Sequence, residues 1–157
     1  MLNQKIVMPL AWGITVAILG GLSTDLGEWY QGLKEPSWKP PDLAFGPIWS
    51  TIFILSGIAW VGAKNFTSDA LILGRLNILF WLNAVLNILW SVLYFRVQRP
   101  DWSLYESVFL WLSVLAILLT IRKVSPKHSL YMLPYLIWVS IAIVLNYEIV
   151  RLNEPFT

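Results

Sequence analysis

Apolar residues in this chain come in long runs, separated by polar or aromatic interruptions. A helix needs ~20 mostly apolar residues to cross the hydrocarbon of a bilayer. Five runs approach or meet that length, at about 6–23, 47–63, 71–95, 103–121 and 130–150. Three of the four interruptions are short: Lys64 to Ala70, Gln98-Arg99-Pro100-Asp101, and Arg122 to Ser129. Short links join antiparallel neighbours. The pattern predicts an all-α integral membrane protein, a five-transmembrane-helix bundle forming one domain over residues 1–157. Asp101 is placed to cap the fourth helix, and Pro134 to bend the fifth.

The remaining interruption, residues 24–46, is of another kind. It holds the run Trp29-Tyr30-Gln31-Gly32-Leu33-Lys34-Glu35-Pro36-Ser37-Trp38-Lys39-Pro40-Pro41. Proline fixes φ and pushes the residue before it toward extended backbone, so a loop of this composition keeps a shape and can hold its rings over something as a lid. A belt of Trp and Tyr at headgroup depth is the alternative reading of the same rings.

Polar residues inside the runs fall on faces. Asn83, Asn87, Trp90 and Ser91 stand at i, i+4, i+7 and i+8 of the third run, one side of a helix. Unpaired amides in hydrocarbon cost several kcal/mol, so this side faces the bundle interior, as packing glue or as the wall of a cavity. In the fifth run Pro134, Trp138, Ala142 and Asn146 repeat every four residues, with Tyr131 and Tyr135 beside them. Trp49 and Phe53 lie one turn apart just after Pro47. Three helices thus offer aromatic faces relieved by small or amide side chains. Under the lid they predict a mostly apolar pocket for a flat aromatic or sterol-like molecule.

Other groups carry less. Glu106, about one turn inside the fourth run, reads either as helix-end packing near an interface or as a functional intramembrane acid. Glu148 and Arg151 have ion-pair spacing. Leu145, Tyr147 and Arg151 fit the loose pattern proposed for sterol contact, which makes them sterol-contact candidates. Gly13, Ala17 and Gly21 form a small-residue stripe suited to helix packing. That stripe and the four runs that follow favour a packed first helix over a signal peptide ending near Gly20-Gly21-Leu22-Ser23.

Composition narrows the classes further. The chain is 57% hydrophobic and 13% charged, about half the charge of a soluble domain. A net charge of +2 without a basic run gives no nucleic-acid footprint. There is no cysteine, and the single histidine, His128, sits in the polar turn Ser125–Ser129, where a solvated surface position is expected. No metal site is expected from that inventory. No acid, base and nucleophile stand at readable spacing, so no catalytic residues are assigned. Lysine and arginine divide almost evenly between the two sides and leave the orientation open, with a lean toward a cytoplasmic N-terminus.

Three blocks resemble the translocator protein/tryptophan-rich sensory protein family (TspO/MBR). They are Trp29-Tyr30 through Pro36-Ser37-Trp38-Lys39-Pro40-Pro41 to Gly46-Pro47-Ile48-Trp49; Asn87-Ile88-Leu89-Trp90-Ser91 with Phe95; and Pro134-Tyr135-Leu136-Ile137-Trp138 with Leu145-Asn146-Tyr147. The resemblance implies a five-helix bundle, commonly a homodimer. It implies binding of porphyrins and, in animal members, of cholesterol and benzodiazepine-type ligands. Carried over residue by residue, Tyr30, Trp38, Pro40, Trp49, Phe53, Asn87, Trp90, Trp138 and Ala142 would line the pocket; Asn83, Ser91 and Tyr135 join them from the helical faces. Trp49 and Trp138 match tryptophans implicated in light-dependent porphyrin breakdown in bacterial members. They are the catalytic candidates if the protein is an enzyme.

The expected function is a membrane receptor or binding protein for tetrapyrroles, acting as sensor, regulator or carrier. The alternatives are a porphyrin-degrading enzyme and a porphyrin or sterol transporter. The expected ligand is protoporphyrin IX or haem, with the metal-free ring the more natural, and no cofactor is obligatory. Expected partners are membrane lipid or sterol and a second copy of the chain. A bacterial cell membrane is the expected location, with a bacterial or mitochondrial outer membrane also compatible. Two departures from the family pattern are Glu35, where Lys is usual before Pro36, and Asn83, where Gln is common.

Overall fold

The computed structural model describes residues 4–156. The main helices are α1 (Gln4–Ser23), α3 (Asp42–Phe66), α4 (Ala70–Ser91), α5 (Pro100–Val124) and α7 (Leu133–Asn153), with one-turn helices α2 (Glu28–Gln31) and α6 (Pro126–Ser129) between them. With their extensions, they give five spans long and apolar enough to cross a membrane. Their outer faces are apolar: Leu43, Leu71, Ile78 and Phe109 are all largely exposed. Lipid is the solvent that suits such a surface. The chain is an integral, multi-pass membrane protein.

Counted with its π or 3₁₀ extension where it has one, each span runs further than its apolar core predicts. The second begins at Asp42, right after Pro40-Pro41, so Pro47 lies inside α3 rather than at its start. α4 opens on Asp69, whose carboxylate accepts from Leu71 N at 2.8 Å and Ile72 N at 3.3 Å. It ends in a π-helical turn, Val92–Arg96. Gln98 then takes a positive φ of 58°, turning the chain into α5.

Two local expectations are corrected here. Asp101 does not cap the fourth helix. Arg99 holds the cap position, and Asp101 lies in the first turn, accepting from Arg99 Nε at 2.8 Å. Pro134 does not bend the last helix. A 3₁₀ turn, Leu130–Met132, precedes α7 and leaves Pro134 in its first turn, where no N–H is needed.

α1 packs on α3 and α4, α4 on α5, and α5 on α7, whereas α3 and α7 barely touch. The core of the closed end is aromatic. Trp12 meets Phe53 and Phe80 edge-on at 5.7 and 5.2 Å, and Trp60 stacks on Phe80 at 4.1 Å. His128 is corrected as well, from surface group to packed neighbour. Its ring is half-buried, with Nδ1 2.7 Å from Ser125 Oγ, and rests on Gly62 so closely that a Cβ there would meet it at 2.1 Å. The stripe of Gly13, Ala17 and Gly21 is not an intrachain packing seam either. A Cβ at Gly13 or Gly21 would meet nothing within 4 Å, and Ala17 and Gly21 open onto the cavity described next.

Candidate functional site

Between the two ends of α3 and α7, where these helices stand apart, lies a cavity of about 490 Å³. Helical periodicity places its walls. α3 contributes Phe45, Gly46, Trp49 and Phe53; α7 contributes Trp138, Ala142, Leu145 and Asn146; α4 contributes Asn87, Trp90 and Ser91. Trp49 stacks on Phe53 at 5.5 Å and stands perpendicular to Trp138 at 6.5 Å. Ala142 leaves room beside them. The π-helical turn widens one turn of the backbone, and Tyr94 and Phe95 join Trp90 on the wall, with Trp90 stacked on Tyr94 at 5.1 Å.

The floor is a chain of buried polar side chains. Asn83 Nδ2 donates to Ser113 Oγ at 2.9 Å, Asn87 Nδ2 donates to Tyr135 Oη at 2.9 Å, and Tyr135 Oη donates to Asn83 Oδ1 at 3.1 Å. Nearby, Asn146 bridges α7 to α5. With its amide oxygen accepting from Ser103 Oγ at 2.9 Å and Leu104 N at 3.1 Å, its nitrogen donates to Pro100 O at 3.1 Å. Buried amides so paired hold α4, α5 and α7 in register and keep the cavity from collapsing.

The first loop covers the cavity. Trp29 meets Tyr94 edge-on at 6.2 Å, and Tyr30 lies over Phe95 at 5.6 Å. Tyr30 Oη donates to Asp42 Oδ1 at 2.8 Å. Lys39 Nζ bridges Asp42 and Glu35, 2.9 Å from the latter, and sits 5.2 Å over the Tyr30 ring. Burial pushes the Tyr30 phenol up to about 12, against the pull of Lys39. Burial pulls Lys39 down, but its bonds to Asp42, Tyr30 and Glu35 outweigh that and hold the ammonium above its ordinary value. The loop is also clipped to the end of α7. Lys34 N donates to Asn153 Oδ1 at 2.8 Å, and Asn153 Nδ2 donates back to Lys34 O at 2.9 Å.

Of the residues singled out from sequence, Tyr30, Trp49, Phe53, Asn87, Trp90, Ser91, Trp138 and Ala142 meet on this wall. Trp38, Pro40, Asn83 and Tyr135 do not. Trp38 is 47% exposed on the outside of the lid, and Pro40 is half-buried off the cavity. Asn83 and Tyr135 are fully buried in the floor, bonded to other side chains. Helical spacing assigns a face; it does not say how deep along that face the open space extends. The sterol pattern splits. Leu145 is buried on the cavity wall, Tyr147 faces out, and Arg151 is exposed and paired with Glu148 at 2.6 Å. Residues two apart on a helix point to different sides, so the three do not make one surface.

Glu106 is not solvated at an interface: it is 6% exposed, and neither carboxylate oxygen has a hydrogen-bond partner among the described residues. Sequence reasoning missed Val16, Gly20, Tyr94 and Leu110 on the wall, and Asn153 at the clip. The Tyr94-Phe95 pair beside Trp90 carried the signal for part of that; Asn153 carried none. Among the described residues, no three of His, Cys, Asp and Glu come together as a metal site.

The model of the TspO/MBR family matches residues 6–152. The tryptophan-rich protein TspO of Chlorobaculum tepidum is 34% identical over 157 positions, covering 96% of this chain and 98% of its own. Protein CrtK of Rhodobacter capsulatus is 37% identical over 137 positions, 83% of this chain and 84% of its own. Human translocator protein is 31% identical over 132 positions, 81% of this chain and 76% of its own.

Proposed function

Because the chain belongs to the TspO/MBR family, we propose that its cavity is a receptor site for a flat, mostly apolar tetrapyrrole drawn from the membrane. The observation that carries this reading is the cavity itself. Its about 490 Å³ fall within the ~300–1,000 Å³ usual for small-molecule sites, and six of its residues present indole or benzyl rings: Phe45, Trp49, Phe53, Trp90, Phe95 and Trp138. A macrocycle would stack on these rings and bury its area against Ala142 and Leu110. Asn87, Ser91 and the Tyr94 hydroxyl would meet its polar edge. Propionates would reach the lid, where Lys39 is the cation on the wall. That ammonium is already shared between Glu35 and Asp42, so an anionic group would compete for it. Sensing, regulation and carriage all follow from binding of this kind, and a homodimer belongs to the same proposal.

The two tryptophans support a second reading. Trp49 and Trp138 face one cavity with centroids 6.5 Å apart, so a bound macrocycle would touch both, as light-driven breakdown of the ring requires. One experiment tests both readings: titration of purified protein with protoporphyrin IX in the dark, then under illumination. Saturable quenching of tryptophan fluorescence with a stable porphyrin band is the outcome for a receptor. Loss of the band that disappears in Trp49→Phe/Trp138→Phe, while binding persists, would assign turnover. Absence of quenching in either condition would refute the tetrapyrrole reading.

A further inference from the structure

The cavity has a second wall that faces lipid. On the outer surface between α3 and α7 runs an apolar groove lined by Pro47, Thr51, Pro134, Ile137 and Ile141, and its base is Trp138. The same Trp138 lines the inner cavity, so one indole separates the bound-ligand space from the bilayer. Three features mark this seam as the part of the wall that yields. Among the described residues no hydrogen bond joins α3 to α7, and aromatic edges among Phe45, Trp49, Tyr135 and Trp138 bridge them. Pro47 deletes a helical hydrogen bond within α3, and a Cβ at its neighbour Gly46 would meet nothing within 4 Å. The lid, by contrast, is tied by Tyr30 and Lys39 to Asp42 and by both bonds of Asn153 to Lys34.

We propose that the α3–α7 groove is the ligand's entrance from the bilayer, with Trp138 as its gate. The proposal rests on the receptor reading above and adds the route. An apolar macrocycle partitions into hydrocarbon, lies in the groove, and enters as the Trp138 ring swings aside. It need not pass through water or break the polar ties of the lid. A gate raises or lowers one barrier and leaves the end states alone, so it alters association and dissociation together.

Thr51 and Ile141 line the groove and not the cavity. In protein reconstituted in lipid nanodiscs, stopped-flow quenching by protoporphyrin IX is expected to slow about tenfold in both directions in Thr51→Phe and in Ile141→Phe, with Kd unchanged within about twofold. The converse arm is Lys34→Cys/Asn153→Cys. The chain has no other cysteine, and the oxidised pair, which locks the lid, is expected to bind at the wild-type rate. Wild-type rates in both groove variants would overturn the proposal. So would slowing in one direction only, or slowing by the lid cross-link alone. Absence of quenching in the wild type would instead sink the receptor reading itself.

Discussion

Tyr135 shows how much of the cavity depends on groups that never touch it. Its hydroxyl accepts from Asn87 and donates to Asn83, and Asn83 in turn reaches Ser113. Tyr135→Phe strands two buried amides. It is expected to cost about 1–3 kcal/mol, read as a lowered thermal unfolding midpoint in detergent, with porphyrin affinity falling as the floor loosens. Gly62 is the second such residue. Gly62→Ala drives a methyl into the His128 ring, for an expected loss of about 1–3 kcal/mol. His128→Ala in the same chain should restore most of it, and failure of that rescue would mean the contact is not the cause. Glu35 acts on the ligand side. Glu35→Gln removes one of the two carboxylates holding Lys39, so protoporphyrin affinity should rise several-fold while affinity for the dimethyl ester, which lacks the anions, stays put.

At the scale of elements, the helices were legible because a bilayer demands ~20 apolar residues of each, and each run supplied them. Their ends were not. Asp42 to Gly46 looked like loop because Pro47 resembles a helix start, yet Pro40-Pro41 is where the chain turns. The π-helical turn at Val92–Arg96 had no signature in residue type, and it carries Tyr94 and Phe95 into the aromatic cluster under the lid. The lid was recognised by composition, but its fastening was not, because Asn153 lies 119 residues from Lys34. Asn153→Ala should leave the fold intact and loosen the lid, measured as stronger quenching of tryptophan fluorescence by aqueous acrylamide, with porphyrin dissociation at the wild-type rate because the ligand leaves between α3 and α7.

The same fastening predicts a pH profile. The neutral phenol of Tyr30 and the charged Lys39 are the forms the lid favours, and both are held above their ordinary values of 10.0 and 10.5. Their contribution is fully present below those values and is lost as pH rises through the raised ones. Opening of the lid, read as quenching of its tryptophans by aqueous acrylamide, should therefore be flat between about pH 6 and about pH 9 and rise once the pH passes about 10.

For the whole molecule, the bundle and the family were legible from three aromatic blocks and five apolar runs. What the sequence did not carry was depth. Asn83 and Tyr135 share helix faces with cavity residues but sit below the open space, and Trp38 lies on the outside of the lid. The seam between α3 and α7 depends on helices that are distant in sequence and barely touch. The central claim is that the space beside Ala142 is where a flat macrocycle binds. Protoporphyrin titration of Ala142→Phe against the wild type tests it directly, with circular dichroism confirming that the helices persist. The account predicts saturable quenching in the wild type and an affinity at least about tenfold weaker in the filled cavity. Equal affinity in the two proteins would contradict it.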